Sequence, residues 1–194
     1  MTAFARRVIY RQSIPSLFNV DELKSKTTLQ LLQEKFAPYI GKSVSEIARL
    51  MDIPITKNKA FNANLISAVL GVKGTKLESL REFNKANIKF KTIRLEPNGV
   101  PREHMSFEQI DFMRWVRDDW EESQVYENFE YTKYLFVVFQ YDETVIQNKD
   151  REPYLKGIML WNMPEVVIEH ELKDLWKTTK LILETGVELK PVRN

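Results

Sequence analysis

Ahead of residue 88 the apolar residues recur every three or four positions, and from Ile88 onward they alternate; this change of period restricts the chain to a mixed α and β fold. Two capping boxes open helices in the first part. In Thr27-x-x-Gln30, before Leu29, Leu32 and Phe36, and in Ser43-x-x-Glu46, before Ile47, Leu50 and Met51, the hydroxyl can satisfy a free first-turn amide while the longer side chain reaches back. A third helix is expected over about 62–70, where Leu65, Ile66, Ala68, Val69 and Leu70 leave little polar face. It should be buried and should stop at Gly71.

The alternating part reads as strands at 88–95, 132–141 and 154–161. Pro97-Asn98-Gly99 is a turn signal that predicts a hairpin between 88–95 and about 102–107. An acidic amphipathic helix is expected over about 111–122, with Phe112, Trp115, Val116 and Trp120 on one stripe, and a final helix from Pro164 to Thr185 with Gly186 as its stop. Residues 1–26, with Arg6, Arg7 and Arg11, read as a lead-in of a short helix and a loop around Ser13-Ile14-Pro15. Residues 27–194 then read as one domain, with no repeat and no second boundary along the chain.

Composition removes several function classes. The chain has 194 residues and no cysteine, which excludes a disulfide framework, thiol catalysis and cysteine-ligated zinc. The longest apolar run, Tyr134 to Phe139, is far short of the roughly 20 residues of a membrane helix, and the N-terminus has no signal-peptide order, so a cytoplasmic protein is expected. The formal net charge of +2 hides a polarised chain: residues 1–100 hold 17 Lys/Arg against 8 Asp/Glu, whereas residues 101–150 hold 5 against 12. Such asymmetry fits a surface that attracts a polyanion or an acidic partner.

Most catalytic signatures are missing. His170-Glu171 lacks the second histidine of a zinc-protease helix because residue 174 is Asp, and Gly71-Val72-Lys73-Gly74 is too short for a P-loop and suits a helix-to-loop turn. No Gly-x-Ser-x-Gly elbow occurs. Phe61, Trp115, Trp120, Trp161 and Trp176 have the spacing of core residues.

The informative stretch runs from Glu82-Phe83, across five residues, to Lys89-Phe90-Lys91-Thr92-Ile93, and on to Gly99-Val100-Pro101-Arg102-Glu103. It resembles the MutH-like endonucleases, which carry an acid-Phe pair, five residues, Glu-x-Lys-Thr-Ile and a Gly-x-Pro-x-Glu turn. The likeness extends over about residues 27–186: residues 41–50 are similar to an early family helix, Lys59-Ala60-Phe61 and 64–71 to the Lys-Gly-aromatic entry and its helix, and Leu160-Trp161 with Leu172 to Trp176 to the family's later strand and helix. Within the family it is nearest to the second, non-cleaving half of the Sau-three-A-type GATC-specific type II restriction endonucleases, in which two such halves share one long chain. The resemblance implies a restriction-endonuclease-like mixed sheet flanked by helices, and a DNA partner. It also implies that the chain is a fragment, with a separate N-terminal catalytic half supplying Mg²⁺-dependent hydrolysis.

The resemblance also assigns residues. A metal-dependent nuclease needs carboxylates to hold Mg²⁺ and a lysine near the attacking water. Here Glu82 keeps an acid where the family has Asp and Lys91 keeps the lysine, but Lys89 replaces the central Glu and Ser67 stands at a further Glu position. A cation in place of a ligand removes a bond and repels Mg²⁺, by on the order of 4 kcal/mol at 4 Å in an effective dielectric of 20. A degenerate site without metal or cofactor is therefore expected. Two lysines that repel a cation attract phosphate, so Lys89 and Lys91 are candidate DNA contacts together with Lys59 and Lys133. Arg151 and Lys156 both stand near the family's base-reading basic loop, and the residues do not choose between them. Lys57, Lys73 and Lys76 suit either an extension of this rim or ordinary solvation. Two rival readings stay open: an active nuclease in which Glu82 and an acid such as Glu46 rebuild the metal site, and a protein-interaction module using the basic face.

Overall fold

The computed structural model describes residues 15–58 and 60–186. In chain order the elements are α1 (Val20–Ser25), α2 (Thr28–Phe36), α3 (Val44–Leu50), α4 (Phe61–Val69), α5 (Arg81–Lys85), β1 (Ile88–Leu95), α6 (Phe112–Arg117), α7 (Gln124–Glu130), β2 (Lys133–Gln140), β3 (Tyr154–Trp161), α8 (Glu165–Val167) and α9 (Lys173–Thr185). They gather into two compact units. The first holds Met1–Met105 and Lys133–Trp161, the second Ser106–Thr132 and Asn162–Asn194. Because the second unit is built from two separated segments, no single break in composition along the chain marks it off.

The first unit is a three-stranded mixed sheet of order β1-β2-β3 with helices α1–α5. β1 runs parallel to β2, and β3 antiparallel to it. The core joins Leu31, Leu32 and Phe36 of α2, Ile47 of α3, Leu65, Ile66 and Val69 of α4, and Phe83 of α5 to Leu135, Val137 and Phe139 of β2 and to Leu155 of β3. The expected cap geometry is present at α2 and α3: the Gln30 and Glu46 amides are held by the Thr27 and Ser43 hydroxyls, and each longer side chain bonds back to the cap. A third capping box, Asn19 with Glu22, opens α1. The lead-in arginines Arg6, Arg7 and Arg11 lie outside the described residues.

α4 is buried as its composition dictates, and it ends in a Schellman motif. Gly71 N–H donates to the Ala68 carbonyl at 2.9 Å and Val72 N–H to the Ser67 carbonyl at 2.8 Å, with Gly71 at φ +81°.

The expected hairpin is corrected. Pro97-Asn98-Gly99 does turn the chain, with Gly99 N–H on the Glu96 carbonyl at 2.8 Å, but the return arm stops after the Leu95–Pro101 bridge and the 2.9 Å bond from Arg102 N–H to the Arg94 carbonyl. Pro101 has no N–H to extend a ladder, and β1 pairs with β2 instead. Strands β2 and β3 lie where the alternation placed them.

The second unit is cored by Trp115, Trp120, Val125, Ile168 and Trp176. Its acidic helix is shorter than expected. α6 ends at Asp118, which turns extended (ψ 152°) while its carboxylate accepts from Arg114 Nε and Arg117 Nε, both at 3.0 Å; a short turn and a fresh cap at Ser123 then start α7. Phe112, assigned by its spacing to the buried stripe, is 57% exposed. The final helix contains a π turn, Ile168–Leu172, between α8 and α9, and stops at Gly186. Among the described residues, no helix is long and apolar enough to cross a membrane.

The glycines give a paired test. Gly71 sits in the left-handed region, whereas Gly157 in β3 has ordinary φ and open space around a built Cβ. Urea unfolding is expected to show Gly71→Ala less stable by about 1–2 kcal/mol, and Gly157→Ala unchanged or more stable by about 0.5 kcal/mol.

Candidate nucleic-acid interface

Alternation along β1 puts Lys89 and Lys91 on one face, and the register sets them beside Tyr134 and Phe136 of β2, which in turn lie opposite Trp161 and Met159 of β3. Tyr134 and Phe136 stack with centroids 6.0 Å apart at 10°, and the Trp161 ring tilts against both at 6.2 and 5.7 Å. The opposite face is the apolar one, with Ile88, Leu135, Val137, Phe139 and Leu155 in the core. Both lysines are half-buried, so this face pairs cationic side chains with an aromatic floor.

The other candidates are dispersed. Lys133 opens β2 and is exposed, but alternation puts it on the side of Leu135, away from Lys89 and Lys91. Lys156 is exposed at a β-bulge, where the pairing steps from Val138–Gly157 to Phe139–Leu155. Lys59 lies outside the described residues. Lys57 and Lys76 are exposed, and the Lys73 ammonium donates to the Met51 carbonyl.

Arg151, one of the two candidates near the base-reading loop, is built into the protein. Its side chain is 3% exposed, and its guanidinium forks onto Glu96 at 2.5 and 2.8 Å, donates to the Glu143 carbonyl at 2.6 Å and lies 4.1 Å from the Tyr141 ring centroid. Arg102 approaches the same ring at 5.1 Å. The Arg151 hydrogen bond holds the Glu96 carboxyl below its ordinary range, although desolvation opposes it, and Glu96 raises the guanidinium in return. Next door, Glu152 accepts from Ser45 N–H at 2.6 Å and its hydroxyl at 2.5 Å, tying the start of β3 to α3. Sequence reasoning missed Glu96, Tyr141 and Glu152; Glu96 lies 55 residues before its arginine and has no local motif.

The positions implied for a metal do not fit one. Ser67 is buried inside α4, its hydroxyl donating to the Asn64 carbonyl at 2.9 Å. Glu82 is 8% exposed and accepts from the Ser16 hydroxyl at 2.5 Å, Leu17 N–H at 3.0 Å and Phe18 N–H at 3.4 Å. Burial pushes its carboxyl up, but the Leu17, Ser16 and Phe18 bonds outweigh burial and bring it below the usual value. Glu46 is the example of a second acid in the active-nuclease reading. It is occupied as a cap on the Ser43 N–H at 2.8 Å, the main cause of its lowered pKa. Among the described residues no three His, Asp or Glu side chains gather as a cation would need.

The comparisons give the class. The family model described as DNA mismatch repair enzyme MutH matches residues 74–174, more than half of the chain, including all of β1, β2 and β3. The chain belongs to the MutH family of restriction-endonuclease-like, DNA-acting proteins. It is 31% identical over 182 residues to the type II restriction enzyme Sau3AI of Staphylococcus aureus, a match covering 88% of this chain and 36% of that enzyme. The chain thus spans about a third of the length of this relative.

The Glu96–Arg151 pair carries a pH signature. The folded carboxyl titrates below its ordinary value of 4.5, so the contribution of the pair is complete above about pH 4.5 and is lost as pH falls through the lower folded value. Glu96→Gln is expected to melt several degrees below the wild type at pH 7, with the two melting curves converging in acid. A gap that stays constant with pH would remove Glu96 from this role.

Proposed function

We propose that this chain is a duplex DNA-recognition domain, the non-cleaving and regulatory half of a GATC-specific type II restriction endonuclease working in the cytoplasm. In this reading cleavage, with its Mg²⁺, belongs to a separate N-terminal MutH-like half of the same protein. The observation that carries the reading is the Lys89 and Lys91 pair on one face of β1, where the family resemblance puts Glu-x-Lys. Charge supports it. Met1–Met105 with Lys133–Trp161 holds 22 Lys/Arg against 13 Asp/Glu, while Ser106–Thr132 with Asn162–Asn194 holds 7 against 14. The basic surplus therefore belongs to the unit that bears the two lysines.

In this mechanism Lys89 and Lys91 meet phosphate, with Lys133 as a further contact elsewhere on the same unit and Lys59, outside the described residues, as another, and Lys156 is the remaining basic candidate near β3 for base readout. Arg151 acts inside the protein, holding the segment between β2 and β3. The active-nuclease reading loses ground because Glu82 and Glu46, the example of its second acid, are both committed to backbone amides.

Titration of the purified chain with matched duplexes containing and lacking GATC tests the proposal. The GATC duplex is expected to bind more tightly, by a margin that persists as rising salt weakens both. Equal affinities would overturn sequence recognition, and Mg²⁺-dependent cleavage by this chain alone would overturn the non-cleaving assignment. Lys89→Glu is expected to weaken binding about tenfold or more at low salt and to flatten the salt dependence by about one contact.

A further inference from the structure

The acid that this chain keeps at the family's metal position is engaged elsewhere. The Glu82 carboxylate takes the Ser16 hydroxyl, the Leu17 N–H and the Phe18 N–H, and one residue earlier Arg81 N–H donates to the Pro15 carbonyl at 3.0 Å. Residues 15–18 therefore form a strap lashed to the first turn of α5 by four hydrogen bonds, from more than sixty residues away in sequence. Apolar packing seals the strap. Leu17 and Phe18 are 9% and 5% exposed and belong to the same core as Leu80 and Phe83. A carboxylate that satisfies buried amides cannot turn to a cation without orphaning them. Ser67 adds a second obstacle, since it sits in a run of buried residues, 65–70, where a carboxylate would be an uncompensated charge. Of the departures from the family pattern, only Lys89 lies where an acid could be restored without burying it.

We infer that Glu82 has passed from metal ligand to structural anchor of the strap at residues 15–18, so that restoring the acid on β1 does not restore Mg²⁺ binding. This rests on reading the site as a degenerate MutH-like centre, but it concerns the ion and the strap and not DNA. The loss of metal is then held in place by the fold as well as by the lysine.

The full chain carrying Lys89→Glu, which recreates Glu-x-Lys on β1, is titrated with MgCl₂ alone by calorimetry while hydrogen exchange is followed at the Leu17 and Phe18 amides. No saturable heat and unchanged exchange at both amides are expected. Saturable Mg²⁺ binding overturns the inference, whether or not the strap amides open. In the wild-type background, Glu82→Gln is expected to speed exchange at Leu17 and Phe18 by about tenfold relative to Leu135 in the sheet centre. Should that variant fail to fold, Ser16→Ala removes the hydroxyl that is shared between the Glu82 carboxylate and the Phe18 carbonyl, leaves the two amide bonds to Glu82, and is expected to raise exchange at the same two amides by a smaller factor. Unchanged protection in whichever variant folds overturns the anchor. No step uses DNA, so a failed duplex titration and a failed strap are told apart.

Discussion

The parallel pairing of β1 with β2 is the contact on which the rest of the first unit depends. β2 is apolar on both faces, so it must be central, and its two edges take β1 in one direction and β3 in the other. A parallel pair cannot be closed by a tight turn. The chain therefore travels from Leu95 through the whole of residues 106–132 before returning at Lys133. Register then decides chemistry. A slip of one residue would carry Lys89 and Lys91 into the core and turn Ile88 outward, and the burial of Ile88, Leu135 and Leu155 forbids it.

Around this sheet four acids share a common fate. Glu46 caps a helix, Glu82 ties a strap, Glu96 holds an arginine and Glu152 caps α3 from outside. Each of these four charges is met by donors within the protein itself, and Glu82, Glu96 and Glu152 also join segments distant in sequence. On the proposed reading such internal compensation favours binding, because an unpaired carboxylate near a phosphate-contacting surface would repel it.

Much of the architecture was legible in the residues. Capping boxes at Thr27 and Ser43, the all-apolar α4 with its Gly71 stop, and the alternation of β2 and β3 are local signals with local causes, and they hold. Where reading failed, the deciding partner was distant or the signal was shared by two outcomes. Pro97-Asn98-Gly99 turns a chain equally well whether or not a second strand follows. The Trp115 and Trp120 stripe suits one helix or two pieces, and Asp118 with its two arginines chose two. The Lys89 and Lys91 face followed from strand periodicity alone. Arg151 did not: Glu96 is 55 residues away, and no local motif announces it or the Tyr141 ring. Leu155 and Ile158 lie on one face although three residues apart, because the bulge at Lys156 consumes a residue that simple alternation would have counted.

The division of charge between the two units has a consequence that the net charge of the chain hides. If phosphate is the partner, as proposed, attraction belongs to the unit that bears Lys89 and Lys91, and the acidic unit contributes none of it. A near-neutral total is therefore no argument against a polyanion partner, because the charge such a partner would meet is that of one unit and not that of the whole chain.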